Sequence, residues 1–137
     1  MRRLLGHNFL LTLCLLYSGI IVWLSVAKIF IPVKINIRDS DKIGHFIAYF
    51  GFTVVWFLFL FFSEKFKKSF IKSLLIVSAS SAVFGILMEI CQAVLTNYRT
   101  PDWKDVIANT AGTVFAAIVL VLLKKQLVSF KNLKKNY

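Results

Sequence analysis

The chain has 137 residues, of which 58% are hydrophobic, with a mean hydropathy of +0.76 and a formal net charge of +11 at pH 7. The apolar fraction exceeds the roughly one half found in soluble domains, so the composition indicates a membrane protein. A nucleic-acid partner is not expected, because the lysine and arginine residues cluster at the ends of apolar runs, as topology determinants do.

Four apolar segments follow one another along the chain, and each is near the ~20 residues that a helix needs to cross a hydrocarbon core. Since backbone polar groups in lipid must be satisfied within the segment, each segment is predicted to be an α-helix. The sequence therefore predicts an all-α fold: a polytopic membrane protein with a four-helix transmembrane bundle in a single domain. The predicted domain covers residues 1–137, with helices at about 7–30, 44–62, 70–95 and 105–123 and a basic tail at 124–137.

The first segment is interpreted as a retained helix and not as a cleaved signal peptide, because its uncharged stretch Asn8–Ala27 is longer than a usual signal core. Pro32 is predicted to end this helix, and Pro101 acts in the same way in the third connection. Asp102 is predicted to cap the fourth helix. The basic tail is expected either to lie on anionic head groups as a short amphipathic segment or to be solvated.

The distribution of lysine and arginine residues predicts the orientation of the chain. Eleven of them fall at the two termini and the second connection, against six at the first and third connections. This excess predicts that both termini are cytoplasmic. The two cysteines, Cys14 and Cys91, lie far apart within apolar runs and are expected to be reduced packing residues.

Polar side chains at the start of the second helix share one face. Asp41, His45 and Tyr49 follow a spacing of i, i+4, i+8, and Lys42 lies beside them. His45 is either an ordinary polar residue at the membrane interface or a proton carrier and head-group contact, because its unperturbed pKa of about 6.5 is close to neutral.

Glu89 interrupts the third apolar segment, where a carboxylate needs a partner, a proton or a water-filled cavity. Ser81 and Gly85 precede it at intervals of four residues, and Gln92 follows at i+3, so Glu89 is predicted to face the bundle interior beside small residues. A purely structural carboxyl that fixes helix packing is the alternative.

The third connection and the fourth helix carry Arg99, Asp105 and Asn109. Asp105 and Asn109 lie on one face, and Arg99 either marks the interface or clamps a carboxylate or phosphate with its two-pronged guanidinium. The predicted topology brings all of these groups to the same side of the membrane, so they are expected to form one polar pocket on the extracytoplasmic side. The predicted pocket contains Asp41, Lys42, His45, Tyr49, Glu89, Gln92, Arg99, Asp105 and Asn109.

These residues occur in motifs that resemble those of the VanZ-like family of small bacterial membrane proteins. The motifs are D-K-x-x-H-F-x-x-Y-F at Asp41–Phe50, E-x-x-Q at Glu89–Gln92, Arg99, and D-x-x-x-N-x-x-G at Asp105–Gly112. Gly51 and Phe52 depart from the more aliphatic continuation expected after the first motif. The resemblance implies a cell-envelope role in the bacterial cytoplasmic (inner) membrane, and the founding member is associated with resistance to the glycopeptide teicoplanin.

Three functions remain open at the level of sequence. The preferred one is a non-enzymatic protein that binds a membrane lipid, such as a polyprenyl-linked or phospholipid head group, with Arg99 and His45 holding the anionic group. The second is an enzyme that acts on a lipid-linked substrate, with Glu89 or His45 as general acid or base. The third is a small proton-coupled transporter, which would require a homo-oligomer. Asp41, His45 and Glu89 are residue types that ligate metals, but their spacing fits no standard site, so neither a metal nor another cofactor is predicted.

Overall fold

The computed structural model describes residues 6–27, 40–96 and 102–135, and all regular structure in these ranges is helical. Five helices follow in chain order: α1 (His7–Val26), α2 (Ser40–Phe62), α3 (Phe70–Leu95), α4 (Trp103–Leu122) and α5 (Lys124–Lys135). The first four are long and apolar enough to cross a membrane. The all-helical fold with four candidate membrane spans is therefore confirmed.

Several helix boundaries differ from the predicted ones by a few residues. α2 begins at Ser40 instead of residue 44, so Asp41 and Lys42 lie within its first turn. α4 begins at Trp103, since Asp102 caps it by accepting a hydrogen bond from the Lys104 amide at 2.9 Å, as predicted. α1 ends at Val26, because the backbone of Ala27 is extended, so the predicted continuation to residue 30 is wrong. Both proline stops lie outside the described residues.

The spans alternate in direction, which gives the bundle two chemically different ends. The start of α1 meets the end of α2, where His7 Nδ1 lies 2.7 Å from Ser63 Oγ. The start of α2 meets the start of α4, where Lys42 Nζ lies 3.2 Å from Asp102 Oδ2. We call the end with Asp102 the site end, and the opposite end, with Ser63 and α5, the basic end.

Glycines permit two close approaches to α2. A Cβ on Gly112 of α4 would overlap the Phe46 carbonyl oxygen and lie 3.0 Å from the Phe50 nitrogen, so the backbones of α2 and α4 meet there. A Cβ on Gly51 would overlap the Tyr17 hydroxyl, which donates a hydrogen bond to the Ala48 carbonyl at 3.1 Å. Gly51, the departure from the family motif, thus leaves α2 continuous and makes room for a side chain of α1.

Aromatic side chains fill the core towards the basic end. Phe57 and Phe61 of α2 pack edge-to-face on Phe70 of α3, with ring centroids 5.0 and 5.6 Å apart. α5 packs on the same cluster, because Phe130 contacts the ring of Phe62 and the Lys131 ammonium lies 4.1 Å from the Phe61 centroid. The segment expected to be a basic tail is therefore a helix docked on the bundle.

The outer surface of the four spans is apolar. Leu75 and Val94 of α3 and Leu122 of α4 are 64%, 75% and 74% exposed, respectively. Exposure of such an apolar surface to water costs free energy, whereas contact with lipid acyl chains does not. The burial pattern thus agrees with a bundle that faces lipid.

Candidate functional site

An imidazole lies between two carboxylates at the site end. His45 Nε2 is 3.6 Å from Asp105 Oδ2, and His45 Nδ1 is 3.9 Å from Glu89 Oε1. Glu89 is 7% exposed and Asp105 is 8% exposed, so both acids face the bundle interior and not the lipid. Three helices therefore contribute one side chain each: α2 gives the imidazole, α3 and α4 the carboxylates.

Asn109 joins the members of this cluster through its amide group. Its Oδ1 lies 3.1 Å from His45 Nδ1, and its Nδ2 donates to Glu89 Oε1 at 3.4 Å. An amide suits this position because it carries both an acceptor and a donor. The contact with Asn109 and the carboxylate on the opposite side of the ring together orient the imidazole of His45.

Lys42 pairs with three carboxylates at the rim of the same site. Its Nζ lies 3.2 Å from Asp41 Oδ2, 3.2 Å from Asp102 Oδ2 and 3.4 Å from Asp105 Oδ1. Because Asp102 and Asp105 belong to α4, this ammonium holds the starts of α2 and α4 together. Asp105 thus contacts Lys42 through one oxygen and His45 through the other.

A cleft of about 250 Å³ opens beside the cluster, between α1, α2 and α3. Its wall combines polar side chains with apolar side chains of α1, which is the composition expected of a site for an amphiphile. It is lined by Ile21, Leu24, Ser25, Asp41, Gly44, His45, Ala48, Tyr49 and Gln92.

Two polar groups of the cleft wall are buried without a hydrogen-bond partner among the described residues. They are the hydroxyl of Tyr49, a residue only 2% exposed, and the Nε2 group of Gln92, which is 4% exposed. An unsatisfied buried polar group costs roughly 1–3 kcal/mol. Such groups in a native fold call for an explanation, and a bound ligand is one.

A cluster of hydroxyl groups forms the floor of the polar region. Ser81 Oγ of α3 lies 2.8 Å from Thr113 Oγ1 of α4, and Thr53 of α2 donates to Ser81 Oγ at 3.1 Å. We call these three residues the hydroxyl cluster. Further towards the basic end, Phe57, Val77 and Ala116 are buried, at 0%, 2% and 0% exposure.

The structure brings most of the predicted pocket residues together. His45, Glu89, Asp105 and Asn109 form the buried cluster, Lys42 pairs with its edge, and Tyr49 and Gln92 line the adjacent cleft. Asp41 is at the rim, with its side chain 51% exposed. Arg99, the predicted clamp, lies outside the described residues.

Sequence reasoning missed the second role of Asp102 and the hydroxyl cluster. Asp102 was expected only as a helix cap, yet it also pairs with Lys42, because α2 begins early enough to place that lysine beside it. Thr53 and Thr113 carried a usable signal: each lies four residues after a predicted site residue, Tyr49 or Asn109, on the same helix face.

The donor set has the composition of a metal site. His45, Glu89 and Asp105 each offer one ligand atom, and these three atoms lie within 4.8 Å of one another. Imidazole and carboxylate ligands together suit borderline divalent ions. This grouping depends on three different helices, which explains why spacing along the sequence did not predict it.

Comparison with known proteins identifies one matching protein family. The family model described as VanZ/LLP1 matches residues 9–124, which include all four spans apart from two residues of α1. Searches of the curated proteins and of the solved structures returned no significant match.

Proposed function

Because this chain belongs to the VanZ/LLP1 family, we propose that it is a multi-pass protein of the bacterial cytoplasmic membrane that binds the phosphate head group of an envelope lipid. In this proposal the site end is extracytoplasmic, both termini are cytoplasmic, and the protein binds its lipid without chemical turnover. The ligand class is a lipid phosphate, carried either by a polyprenyl phosphate or by an anionic phospholipid.

The observation that carries the proposal is the pair of donors in the cleft wall that have no partner among residues 6–27, 40–96 and 102–135. The Tyr49 hydroxyl and the Gln92 amide nitrogen are hydrogen-bond donors, and phosphate oxygens accept such bonds. Ile21 and Leu24 of α1 line the same cleft and suit the first carbons of a lipid chain. A head group would therefore satisfy the donors while its chain stays on the lipid side.

The position of the polar region also favours lipid binding over transport. Within the described helices, polar side chains reach from Lys42 down to the hydroxyl cluster, where buried Phe57, Val77 and Ala116 replace them. A transport path would need polar groups or an opening through this layer. A pocket open at one end suits a ligand that enters from one side of the membrane.

Lipid retention tests the proposal directly. Purified full-length protein in detergent is mixed with undecaprenyl phosphate, phosphatidylglycerol or phosphatidylcholine, and native mass spectrometry measures bound lipid. Saturable binding of one of the first two, with phosphatidylcholine bound less, supports the proposal and distinguishes the two phosphate sources. Equal binding of all three lipids contradicts it.

Two substitutions assign the binding to the cleft. Tyr49→Phe and Gln92→Met remove the unpartnered donors and should weaken phosphate-lipid binding about ten- to hundredfold, the equivalent of a hydrogen bond to a charged group. Neither should lower the unfolding temperature, because each removes a buried group without a partner. The matched control is Tyr17→Phe, which loses the bond to Ala48 and should reduce stability but not binding.

An acid–base enzyme is the second candidate, and the position of His45 favours it. The ring lies at the cleft wall with Asp105 behind Nε2, an arrangement that orients an imidazole for proton transfer. Phosphate release or head-group loss from the bound lipid, abolished by His45→Gln, would support the enzyme. Lipid that is bound and recovered unchanged would support the binding protein.

The cellular expectation is a change in glycopeptide susceptibility. Expression of the wild-type chain in a glycopeptide-sensitive bacterium should alter growth inhibition by teicoplanin, whereas the Tyr49→Phe variant at equal membrane abundance should not. Identical inhibition curves with and without the wild-type chain would contradict this part of the proposal.

A further inference from the structure

We infer that His45, Glu89 and Asp105 form a binding site for one divalent transition-metal ion, such as Zn²⁺ or Mn²⁺. The ion would also ligate an oxygen of the head group in the neighbouring cleft, and this second part depends on the proposed function. The ion would connect two features that are adjacent in the structure: the cluster rich in carboxylates and the cleft with unpartnered donors.

The separations of the three donors suit one ion. Ligand atoms at about 2.1 Å from a metal are about 3.4 Å apart in a tetrahedral site and up to about 4.2 Å apart when they lie opposite one another. One ion binds only one nitrogen of an imidazole. His45 Nε2 lies 3.6 Å from Asp105 Oδ2, whereas Glu89 Oε1 lies 3.9 Å from the other nitrogen, Nδ1, and must move towards the ion. The three ligand atoms all lie within 4.8 Å of one another, so rotation of a carboxylate side chain closes the remaining gap.

The chemistry of the donors narrows the choice of ion. One imidazole with two carboxylates is poorly suited to Ca²⁺ or Mg²⁺, which prefer oxygen ligands alone, and lacks the thiolates that would favour Cu⁺. Asn109 Oδ1 lies 3.1 Å from His45 Nδ1, a contact that orients the ring and leaves Nε2 available to the ion. Three protein ligands leave a coordination position open, as in metal sites that bind a further molecule.

The cleft supplies an independent indication of a ligand. Tyr49 and Gln92 line it together with His45, and each has a buried group that finds no partner in the part of the chain that the structure describes. A phosphate that is bound to the ion through one oxygen has further oxygens for these two donors. The same arrangement explains how an anionic head group is accepted beside Glu89 and Asp105: the ion lies between the charges.

Metal binding is tested on the full-length protein, with any affinity tag removed, in nanodiscs of phosphatidylcholine. ZnCl₂ and MnCl₂ are titrated by calorimetry, and X-ray absorption at the metal edge reports the ligands. We expect one ion per chain with one nitrogen and several oxygen ligands. The absence of saturable binding of both ions, or a spectrum with sulfur ligands, would overturn the inference.

Matched variants assign the site. His45→Gln, Glu89→Gln and Asp105→Asn should each weaken metal binding by more than the ~10–100-fold that loss of a supporting residue costs. The controls are His7→Gln and Glu64→Gln at the basic end, which should bind metal as the wild type does. Helicity and size-exclusion profiles identify variants that fail to fold. If a variant fails to fold, the ligands are assigned from the X-ray absorption spectrum of the wild-type protein alone.

A chelator separates this inference from the proposed function. If EDTA abolishes retention of the phosphate lipid and Zn²⁺ or Mn²⁺ restores it, the metal-bridged head group is supported. Lipid retention that is unchanged in EDTA would overturn the bridge but leave the lipid-binding proposal intact. Metal binding without retention of any phosphate lipid would support the ion site and contradict the proposed function.

Discussion

The Asp102 side chain makes two different contacts because α2 begins early enough to place Lys42 beside it. Its carboxylate caps α4 by accepting from the Lys104 amide, and it also pairs with Lys42 of α2. The Lys104 amide and the Lys42 ammonium hold the pKa of Asp102 below its usual range. Local helix chemistry and the contact between α2 and α4 therefore act on the same group.

The lowered pKa of Asp102 predicts a pH dependence with a defined sign. A carboxylate whose pKa is lowered on folding stabilises the fold above its unfolded pKa, about 3.9, and loses that contribution as the pH falls through the folded pKa. Wild-type protein should therefore unfold at a higher temperature than Asp102→Asn at pH 5–7, and the difference should shrink below about pH 4. Thermal unfolding in detergent at several pH values measures this, and a difference that is independent of pH would contradict the prediction.

The hydroxyl cluster makes a second prediction for a single residue. Thr113→Val keeps the shape of the side chain but removes the contacts with Ser81 Oγ at 2.8 Å and Thr53 Oγ1 at 3.4 Å. Hydrogen bonds between membrane helices contribute about 0.6 kcal/mol on average and about 1.7 kcal/mol at most, so the free energy of unfolding should fall within that range. Unfolding in mixed micelles measures it.

Thr110→Val is the matched control for Thr113→Val. The hydroxyl of Thr110 is on the exposed side of the same helix and donates to the Val106 carbonyl at 2.8 Å. Its removal should leave the free energy of unfolding nearly unchanged. A loss equal to that of Thr113→Val would show that the effect belongs to the helix itself and not to the contact between helices.

Among the helices, α2 and α4 make the closest contact, and this contact forms the site. Gly112 allows the two backbones to meet beside Phe46 and Phe50, one turn from His45 and Asn109. The distance between His45 Nδ1 and Asn109 Oδ1, 3.1 Å, depends on this approach. A small residue in α4 thus positions polar residues that it does not touch.

Gly112→Ala is therefore predicted to destabilise the bundle by roughly 1–3 kcal/mol, the usual cost of an overpacked core, and to weaken ligand binding at the site. Gly19→Ala is the matched control, because a Cβ at Gly19 in α1 meets nothing within 4 Å. That substitution should stabilise its helix by up to about 1 kcal/mol. Unfolding in mixed micelles distinguishes the two, and equal effects would contradict the close approach.

Within the described helices, four carboxylates lie at the site end, whereas aromatic and basic side chains gather at the basic end. Lys131 on α5 donates to the Lys68 carbonyl and covers the ring of Phe61, so the docked helix extends the basic end. A basic end on the cytoplasmic side agrees with the positive-inside rule and with the anionic lipids of that leaflet. The site would then be on the extracytoplasmic side of the membrane.

Reporter fusions test this orientation. Green fluorescent protein fused after Tyr137 should fluoresce in the bacterium, and alkaline phosphatase fused at the same place should be inactive, because the C terminus is predicted to be cytoplasmic. The matched control places both reporters after residue 36, in the first connection, where the results should be reversed. Active phosphatase at Tyr137 would contradict the orientation and move the site to the cytoplasmic side.

Sequence reasoning predicted the helical fold and placed His45, Glu89 and Asp105 at one end, but it could not predict their contacts. Glu89 was identified as a carboxylate that needs partners, and the structure provides Asn109 and His45. Lys42 was predicted as a pocket residue beside Asp41 but without its partners, and the structure pairs it with Asp102 and Asp105. Contacts of this kind depend on helix rotation and on the separation of helices, which no spacing within one segment encodes.

By itself, the sequence determined the four spans, because a hydrocarbon core selects length and hydropathy locally and requires each backbone to satisfy its own hydrogen bonds. It also determined which polar residues share an end, since alternating spans of similar length leave little choice. Only the tertiary structure decided that His45, Glu89 and Asp105 have ligand atoms within 4.8 Å of one another. That convergence depends on the packing of α2 against α4 at Gly112. Because glycine has no side chain, the two backbones can approach each other there.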